Sequence, residues 1–377
     1  MDYDSLALDA HKKYGGKLTV GLRDTSPLSR ETLSTYYTPG VAAVSKHLAE
    51  HPEDMPVYTW TNNLVAVISD GTAVLGLGDI GPKGSMPVME GKSMLFKQFA
   101  DIDSVPIILD VHTPDEIVAT VKAIAPSFGA INLEDIAAPQ CFEIEERLKA
   151  ELDIPVFHDD QHGTAVVVLA GLINAMKIVG KELKDAKVVV IGAGAAGTAI
   201  MKLLRMYAEP QIIAVDSKGA IGSSRTDLND EKKMLLEFVD NSAAGSLDDV
   251  IADADIFIGV SRPGVLTEAH IKKMAKDPII FALSNPTPEI MPDLAKAAGA
   301  AVVATGRSDF PNQVNNAIAF PGIFRGALDN GVKQITDEHK IATAEVIASL
   351  IASPTPEEII PSVFDDRLVP AIAKKIT

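Results

Sequence analysis

Two pairs of adjacent carboxylates are the residues whose types and positions most directly suggest chemistry. Glu134 and Asp135 come directly after the apolar segment INL, and Asp159 and Asp160 come after PVFH. Because side chains alternate faces along a strand, neighbouring carboxylates converge only where the strand has ended. Several oxygen donors on two loops suit a hard divalent cation such as Mg²⁺ or Mn²⁺. Solvated loop charge, with Asp160 capping a helix, remains the alternative.

Two histidines flank the second acidic pair and raise the question of a zinc site. His158 and His162 are four positions apart, and imidazole is a common zinc ligand. They straddle a predicted break between strand and helix instead of lying on one helix. We therefore do not predict zinc.

Lys92 and Tyr37 are candidate acid–base residues. Lys92 follows Gly91, and the pattern places it in the first turn of a helix. The positive end of the helix dipole and partial burial would lower its pKa, which would supply a neutral amine as a base. A solvated surface lysine is the alternative, and the adjacent Tyr36 and Tyr37 also fit one packing and one surface residue.

A glycine-rich loop lies between the predicted strand KVVVI and the helical segment TAIMKLLRMYA. Gly192, Gly194 and Gly197 have the G-x-G-x-x-G spacing, with Ala195 and Ala196 between them. Glycines permit a tight turn and close approach of a pyrophosphate, and the helix N-terminus attracts its charge. This context predicts a dinucleotide-binding loop.

An acid ends the next predicted strand, QIIAVD. Asp216 follows Gly194 by 22 positions, near the spacing of about 20 expected for an acid that binds the ribose diol. Its charge would repel a 2′-phosphate, which favours NAD over NADP. Lys218 would soften that repulsion, so NADP remains possible.

Asparagines in two later loops are candidate substrate contacts. Asn285 lies in SNPTPE, and Asn315 and Asn316 lie in PNQVNNAIAF. Their amides can donate to carboxylate or nicotinamide amide oxygens, although loop asparagines also commonly serve turns.

Alternating strand and helix patterns must position these residues. In parallel sheets ligands gather at the carboxyl ends of the strands, where both acidic pairs and the glycine loop fall. We predict an α/β fold with an N-terminal parallel-sheet domain and a Rossmann-like doubly wound domain. A further strand is expected in TAVLGLGDIG. The predicted units are a first domain at 1–160, a cofactor domain at 161–350 and a C-terminal helical segment at 351–377.

Composition excludes several classes of function. A length of 377 residues allows two domains, and a net charge of −17 opposes binding to nucleic acid or anionic membranes. The single cysteine, Cys141, cannot form an internal disulfide, which fits a cytoplasmic location. We expect no signal peptide at the N-terminus. The longest uncharged run, Gln161 to Met176, is shorter than the ~20 residues of a membrane span, and we predict a buried helix there.

Segments spread along nearly the whole chain resemble the malic enzymes in their short bacterial form. The matching segments are YYTPGV, SDGTAVLGLGDIGPKGSMPVMEGK, INLEDI, FHDDQHGTA, IGAGAAG, ALSNPTPE and ATGRSDFPNQVNNAIAFPGIFRGAL. The resemblance implies metal-dependent oxidative decarboxylation of (S)-malate to pyruvate and CO₂ with reduction of NAD(P)⁺, and a homodimer. A malolactic-type enzyme that yields lactate is one alternative. A non-catalytic dinucleotide-binding regulator is another.

The resemblance also implies roles for individual residues. These are a general acid (Tyr37), a general base (Lys92), an acid that orients the base (Asp159), metal ligands (Glu134, Asp135 and Asp160) and substrate contacts (Asn285, Asn316 and Asn315). One departure concerns the segment DGTA, where the large eukaryotic enzymes carry an arginine. Another donor must then bind that carboxylate of malate.

Overall fold

The computed structural model describes residues 3–74 and 76–377, which form two mainly parallel β-sheets. The first sheet has the order β2-β1-β3-β4 and is wholly parallel. Its strands are β1 (Leu64–Ser69), β2 (Asp103–Ile108), β3 (Ala130–Leu133) and β4 (Val156–His158). The second sheet has the order β10-β9-β8-β5-β6-β7, with only the β6–β7 pair antiparallel. Its strands are β5 (Lys187–Ile191), β6 (Gln211–Asp216), β7 (Gly219–Ala220), β8 (Ile256–Gly259), β9 (Ile279–Ala282) and β10 (Val302–Thr305).

Helices cover both sheets, which explains why the strands are almost continuously apolar. All six residues of β1, LVAVIS, are buried, as expected for a parallel strand with both faces covered. The helices are α1 (Tyr3–Tyr14), α2 (Arg30–Tyr36), α3 (Val41–Glu50), α4 (Met55–Tyr58), α5 (Gly81–Ala100), α6 (Pro114–Ile124), α7 (Gln140–Glu151), α8 (Asp159–Val179), α9 (Ala195–Ala208), α10 (Asp230–Leu235), α11 (Leu247–Val250), α12 (Glu268–Lys273), α13 (Pro292–Ala297), α14 (Phe320–Asn330), α15 (Asp337–Ser349) and α16 (Leu368–Ala373). The predicted α/β class, with a Rossmann-like domain, is confirmed.

Helix α8 runs between the two sheets and is the predicted buried helix. Within the described ranges it is the one helix long and apolar enough to cross a membrane, but 67% of that stretch is buried inside the protein. Its Asn174 amide donates to the carbonyls of Ala348 and Ile359, at 2.9 and 3.0 Å. The helix therefore packs as part of the core, and its polar residue is satisfied there.

Each sheet has one point where the strand order reverses direction, and ligands bind at such crevices. In the first sheet the crevice lies between the carboxyl ends of β1 and β3, where Glu134 follows β3. In the second sheet it lies between β5 and β8, where Gly192 follows β5. Both candidate sites therefore fall where the topology predicts a ligand.

The strand predicted in TAVLGLGDIG is wrong. Apart from Leu75, which lies outside the described residues, this segment forms turns with one isolated bridge between Val74 and Gly78. Gly76 and Gly78 have φ angles of 77° and 76°, a conformation that interrupts a strand. The alternation of apolar residues and glycine resembled a strand pattern.

The C-terminal segment lies against helix α5. The rings of Phe364 and Phe99 are 6.1 Å apart, and α16 packs so closely on α14 that a Cβ at Gly322 would lie 2.6 Å from Ile372. The domain boundaries at 160 and 350 stay a prediction.

Candidate active site

Three carboxylates converge at the crevice of the first sheet. Ligand oxygens of Glu134, Asp135 and Asp160 all lie within 4.8 Å of one another. The loop after β3 is joined to the first turn of α8 because the Asp135 amide donates to Asp160 Oδ2 at 2.7 Å. An all-oxygen donor set fits Mg²⁺ or Mn²⁺ and not a thiolate metal. The three predicted ligands are thus brought together, and their metal role remains a proposal.

The two histidines do not belong to this cluster. Among the residues that the structure describes, the one group with metal-ligand geometry contains carboxylates only. The His158 ring is fully buried, with Nδ1 3.9 Å from Asp160 Oδ2, while the His162 ring bonds Glu145 at 2.8 Å. The expectation of no zinc site stays a prediction.

Lys92 lies beside the carboxylates and is buried. Its Nζ donates to Asp159 Oδ2 at 2.7 Å and lies 2.9 Å from Glu134 Oε1. The amine also lies 4.6 Å from the centre of the Phe320 ring. Lys92 shares the buried face of α5 with Met89, since residues three or four apart lie on one side of a helix.

The predicted position of Lys92 at a helix start is wrong. Helix α5 begins at Gly81, so Lys92 lies in its interior and the helix dipole does not act on it as expected. Burial alone would lower the pKa of Lys92, but the carboxylates of Asp159 and Glu134 outweigh burial and raise it above its ordinary value. In this state the amine is protonated.

Burial acts in the opposite direction on the neighbouring acids. It raises the pKa of Glu134 to about 7 and that of Asp159 to about 6, although Lys92 opposes both shifts. Burial also raises the pKa of Asp160. Glu134 and Asp135 are buried and Asp160 is partly exposed. A cation would relieve the cost of placing these three negative charges together.

Asp159 has one oxygen committed and one available. Oδ2 accepts from Lys92, whereas the buried Oδ1 has no hydrogen-bond partner within the described parts of the chain. A Cβ at Gly163 would lie 1.9 Å from Oδ1 and 3.0 Å from Cβ of Asn316. Gly163 therefore makes room for Asp159, and the same contact shows that Asn316 lies beside this first turn of α8.

The other two asparagines differ in their surroundings. Asn315 Oδ1 accepts from the Ala317 amide at 2.9 Å and caps a short helical turn, which is the turn role that sequence reasoning left open. Asn285 follows β9, and a Cβ at Gly76 would lie 2.5 Å from its carbonyl oxygen. The Asn285 loop therefore touches the loop that follows β1, so residues from both sheets meet here.

Among the residues that the structure describes, Tyr37 has no hydrogen bond to this cluster. The residue follows α2, its side chain is 66% exposed, and its hydroxyl bonds to none of the described residues. Lys92, Asp159 and Glu134 are all buried.

The glycine loop after β5 has the predicted strand–loop–helix form. Gly192 has a φ of 116°, and a Cβ there would lie 2.6 Å from the Val260 carbonyl. A Cβ at Gly197 would lie 1.8 Å from the Gly192 carbonyl, so α9 packs directly on the loop. Nothing lies within 4 Å of a Cβ at Gly194. That open space is where a pyrophosphate would approach the N-terminus of α9, at Ala195 and Ala196.

A cavity of about 880 Å³ adjoins this loop and extends to Asp216. Both Asp216 oxygens are occupied: Oδ1 accepts from Arg225 at 2.7 Å and Oδ2 accepts from Lys232 at 2.6 Å. Burial alone would raise the pKa of Asp216, but these bonds, with one from the Lys218 amide, lower it to about 2. The sequence did not predict that Arg225 and Lys232 bind Asp216, because they follow it by 9 and 16 positions and match no local motif.

Comparison with known proteins finds matches along nearly the whole chain. Residues 22–149 match the family model of the malic enzyme N-terminal domain, and residues 161–376 match that of the malic enzyme NAD binding domain. The chain is 54% identical to the bifunctional malic/malolactic enzyme of Bacillus subtilis, over 98% of this chain and 91% of the relative. It is 56% identical to the NAD-dependent malic enzyme of Geobacillus stearothermophilus, over 96% and 76%.

A solved structure shows the same architecture over its full length. The crystal structure of the NAD-dependent malic enzyme from Thermotoga maritima superposes with a TM-score of 0.95 at 49% identity, and 98% of each chain is covered. With both family models matched and relatives above half identity along almost all of its length, the chain belongs to the malic enzyme family.

Proposed function

We propose that this protein converts malate to pyruvate and CO₂ with reduction of NAD(P)⁺, in a reaction that depends on Mg²⁺ or Mn²⁺. The observation that carries the proposal is the buried Lys92 amine, 2.7 Å from Asp159 and 2.9 Å from Glu134. A lysine held between acids next to a candidate metal site can move a proton from a bound hydroxyl. Membership in the malic enzyme family supports malate as the substrate.

Glu134, Asp135 and Asp160 would hold the cation, because they offer only carboxylate oxygens at one point. When bound, a divalent cation would polarise the C2 oxygen of the substrate as a Lewis acid and offset the negative charge that keeps Lys92 protonated. Lys92, once it has released its own proton to solvent, would accept the C2 hydroxyl proton, and a bound nicotinamide would supply the hydride acceptor. Asp159 orients the amine.

Loss of CO₂ from the resulting 3-oxo acid leaves an enolate that needs a proton on C3. Tyr37 is our proposed donor of that proton. Asn285 and Asn316 are proposed to bind the substrate, since both lie where the two sheets meet. Asn315 would act mainly through the turn that it caps.

We propose that the protein forms a homodimer in which Tyr37 serves a neighbouring site. None of the helices α1 to α4 contains a buried residue. In these helices and in the segment between α1 and α2, several large apolar side chains are more than half exposed, among them Tyr3, Leu8, Tyr14, Val20, Leu22, Leu28 and Val57. Exposed apolar side chains that form a contiguous patch mark a protein–protein interface. A second copy that covers this surface would place Tyr37 in the site of its partner.

NAD is the proposed preferred cofactor, with NADP also accepted. The ionised Asp216 favours a ribose hydroxyl and repels a 2′-phosphate. Arg225 and Lys232 offset that charge, so the repulsion is weaker than the acid alone would cause. Relatives of both kinds occur, named NAD-dependent and NADP-dependent malic enzymes.

The test is to incubate the protein with malate, with NAD and NADP in parallel, with and without Mn²⁺. We expect NADH and pyruvate to form in equal amounts only when Mn²⁺ is present, and faster with NAD. Accumulation of lactate without net NADH would instead show a malolactic activity. The name of the Bacillus subtilis relative, a bifunctional malic/malolactic enzyme, is the reason to test for it. Inertness towards malate would favour a binding regulator instead. A cytoplasmic location completes the proposal.

A further inference from the structure

The two histidines of FHDDQHGTA and the buried acid Glu145 have no part in the proposed chemistry. Glu145 lies on α7 and is 5% exposed. It belongs neither to the metal cluster nor to the carboxylates that contact Lys92. Among the described residues it is the carboxylate that contacts both His158, which precedes Asp159, and His162, which follows Asp160. Buried charges of this kind are costly unless they are fully bonded.

Glu145 accepts hydrogen bonds from three residues that flank the acidic pair in sequence. Oε1 accepts from the His158 amide at 3.1 Å. Oε2 accepts from Gln161 Nε2 at 3.3 Å and from His162 Nε2 at 2.8 Å. Because a carboxylate only accepts, the His162 Nε2 carries the proton. One carboxylate thus holds residue 158 before the acids and residues 161 and 162 after them.

The first turn of α8 is therefore fixed from two sides. On the crevice side the Asp135 amide donates to Asp160, and Lys92 donates to Asp159. On the α7 side, Glu145 accepts a hydrogen bond from the amide of His158. His158 is the last residue of β4 and directly precedes α8. An α-helix leaves its first amides without internal partners, and a carboxylate from another helix satisfies one of them here.

We propose that Glu145 is a positioning residue for the metal ligand Asp160 and for Asp159. It acts through the backbone of His158 and the side chain of His162, and it touches neither substrate nor cation. Residues that orient metal ligands from behind commonly change metal affinity by about 10- to 100-fold when they are lost. The inference rests on the proposed metal site and adds a residue to it.

The experiment measures Mn²⁺ affinity by calorimetry on the full chain without malate. Glu145→Gln keeps the size of the side chain but replaces one oxygen with an NH₂ group. That group cannot accept a hydrogen bond from the N–H donor that faces it. We expect Mn²⁺ binding to weaken by about tenfold or more while NAD binding stays unchanged. Glu143→Gln is the matched control, because Glu143 is on the same helix, is exposed, and among the described residues pairs only with Arg147.

His162→Phe provides a second, independent variant. It removes the donor to Glu145 but keeps a ring next to Phe157, whose centre lies 5.4 Å from that of His162. In this proposal His162 acts only through Glu145, so the double variant should bind Mn²⁺ about as weakly as Glu145→Gln alone. If Glu145→Gln fails to fold, weakened Mn²⁺ binding in folded His162→Phe supports the proposal, and unchanged binding refutes it.

The outcomes separate this inference from the function on which it rests. Wild-type binding of Mn²⁺ with equal affinity in folded Glu145→Gln would overturn the positioning role and leave the metal site standing. A lowered melting temperature with unchanged Mn²⁺ affinity would have the same meaning. A wild-type protein that binds no Mn²⁺ would overturn the metal site, and the inference with it.

Discussion

At the scale of single residues, the charge of Lys92 depends on its neighbours more than on its own burial. An isolated buried amine loses its proton readily, yet Asp159 and Glu134 raise the pKa of Lys92 above the ordinary value. In the free protein, Lys92 is therefore protonated and lies among partly protonated acids. Base catalysis by Lys92 therefore requires that part of this negative charge be neutralised, which links its function to the metal site.

Cofactor preference is also decided by single residues. Lys232→Ala removes the cation bound to Asp216 Oδ2 and leaves that oxygen free for a ribose hydroxyl. We expect catalytic efficiency (kcat/KM) with NADP to fall by about tenfold, since hydrogen bonds to charged groups contribute about 1.5–3 kcal/mol, while efficiency with NAD is kept. Steady-state kinetics with both cofactors provides the measurement.

The control for that change is the adjacent lysine. Lys233→Ala removes a cation that pairs with Asp230 and not with Asp216, and it should leave the ratio of the two efficiencies unchanged. An equal ratio in wild-type protein and Lys232→Ala would show that Lys232 has no part in cofactor choice.

The candidate residues differ in how far sequence could predict their surroundings. Glu134 and Asp160 were predictable because each follows a recognisable strand, and strand ends meet at a sheet edge. Arg225 and Lys232 lie 9 and 16 positions after Asp216 in a segment with no motif, so only the folded chain shows that they bind it. Glu145 was hidden in an ordinary polar helix pattern for the same reason.

At the scale of elements, the first turn of α8 determines the geometry of the site. It carries Asp159 and Asp160 and is packed so tightly that Gly163 has no room for a side chain. Helix α5 supplies Lys92 from the opposite side. Relative displacement of these two helices by a fraction of an ångström would separate the amine from its carboxylate.

Gly163→Ala tests that packing. The new Cβ would lie 1.9 Å from Asp159 Oδ1, so the carboxylate or the helix must move. We expect kcat to fall by about a hundredfold, the size of effect that a misplacement of ~1 Å produces, with NAD affinity unchanged. Thr164→Ala, one position further along the helix, is the control and should keep wild-type kcat. Wild-type kcat in Gly163→Ala would mean that the position of Asp159 is unimportant.

Sequence reasoning placed the start of α5 about ten residues too late. Gly81, Pro82, Gly84 and Pro87 lie in its first two turns, and glycine and proline disfavour helix interiors. Proline is well tolerated in the first turn, and tertiary packing outweighs propensity in the second. The buried helix α8 was easier to predict, since an uninterrupted apolar run leaves few alternatives.

At the scale of the whole molecule, the N-terminal helices differ from the rest of the chain in how much they bury. Both sheets and α8 form a closed core, whereas helices α1 to α4 bury no residue within one chain. Tyr37 belongs to this exposed part. Sequence could not reveal the difference, because exposure depends on which elements cover one another and not on local pattern.

Mixing two inactive variants tests whether Tyr37 acts across subunits. Hybrid dimers of Lys92→Ala and Tyr37→Phe chains would contain one site with both residues intact if Tyr37 serves its partner. Random exchange in a two-fold dimer should then restore about a quarter of wild-type activity. The measurement is malate turnover by the mixture, compared with turnover by each variant alone, which should be inactive. A mixture that stays inactive after subunit exchange would contradict the shared site.

The central claim is that Lys92 is the general base, and two variants test it most directly. Lys92→Ala removes the amine, and Lys92→Arg keeps a cation beside Asp159 that cannot give up its proton. With malate, NAD and Mn²⁺, we predict that both lose at least about a hundredfold in kcat, while calorimetric binding of NAD equals that of wild type. Turnover near the wild-type rate in either variant would contradict the account.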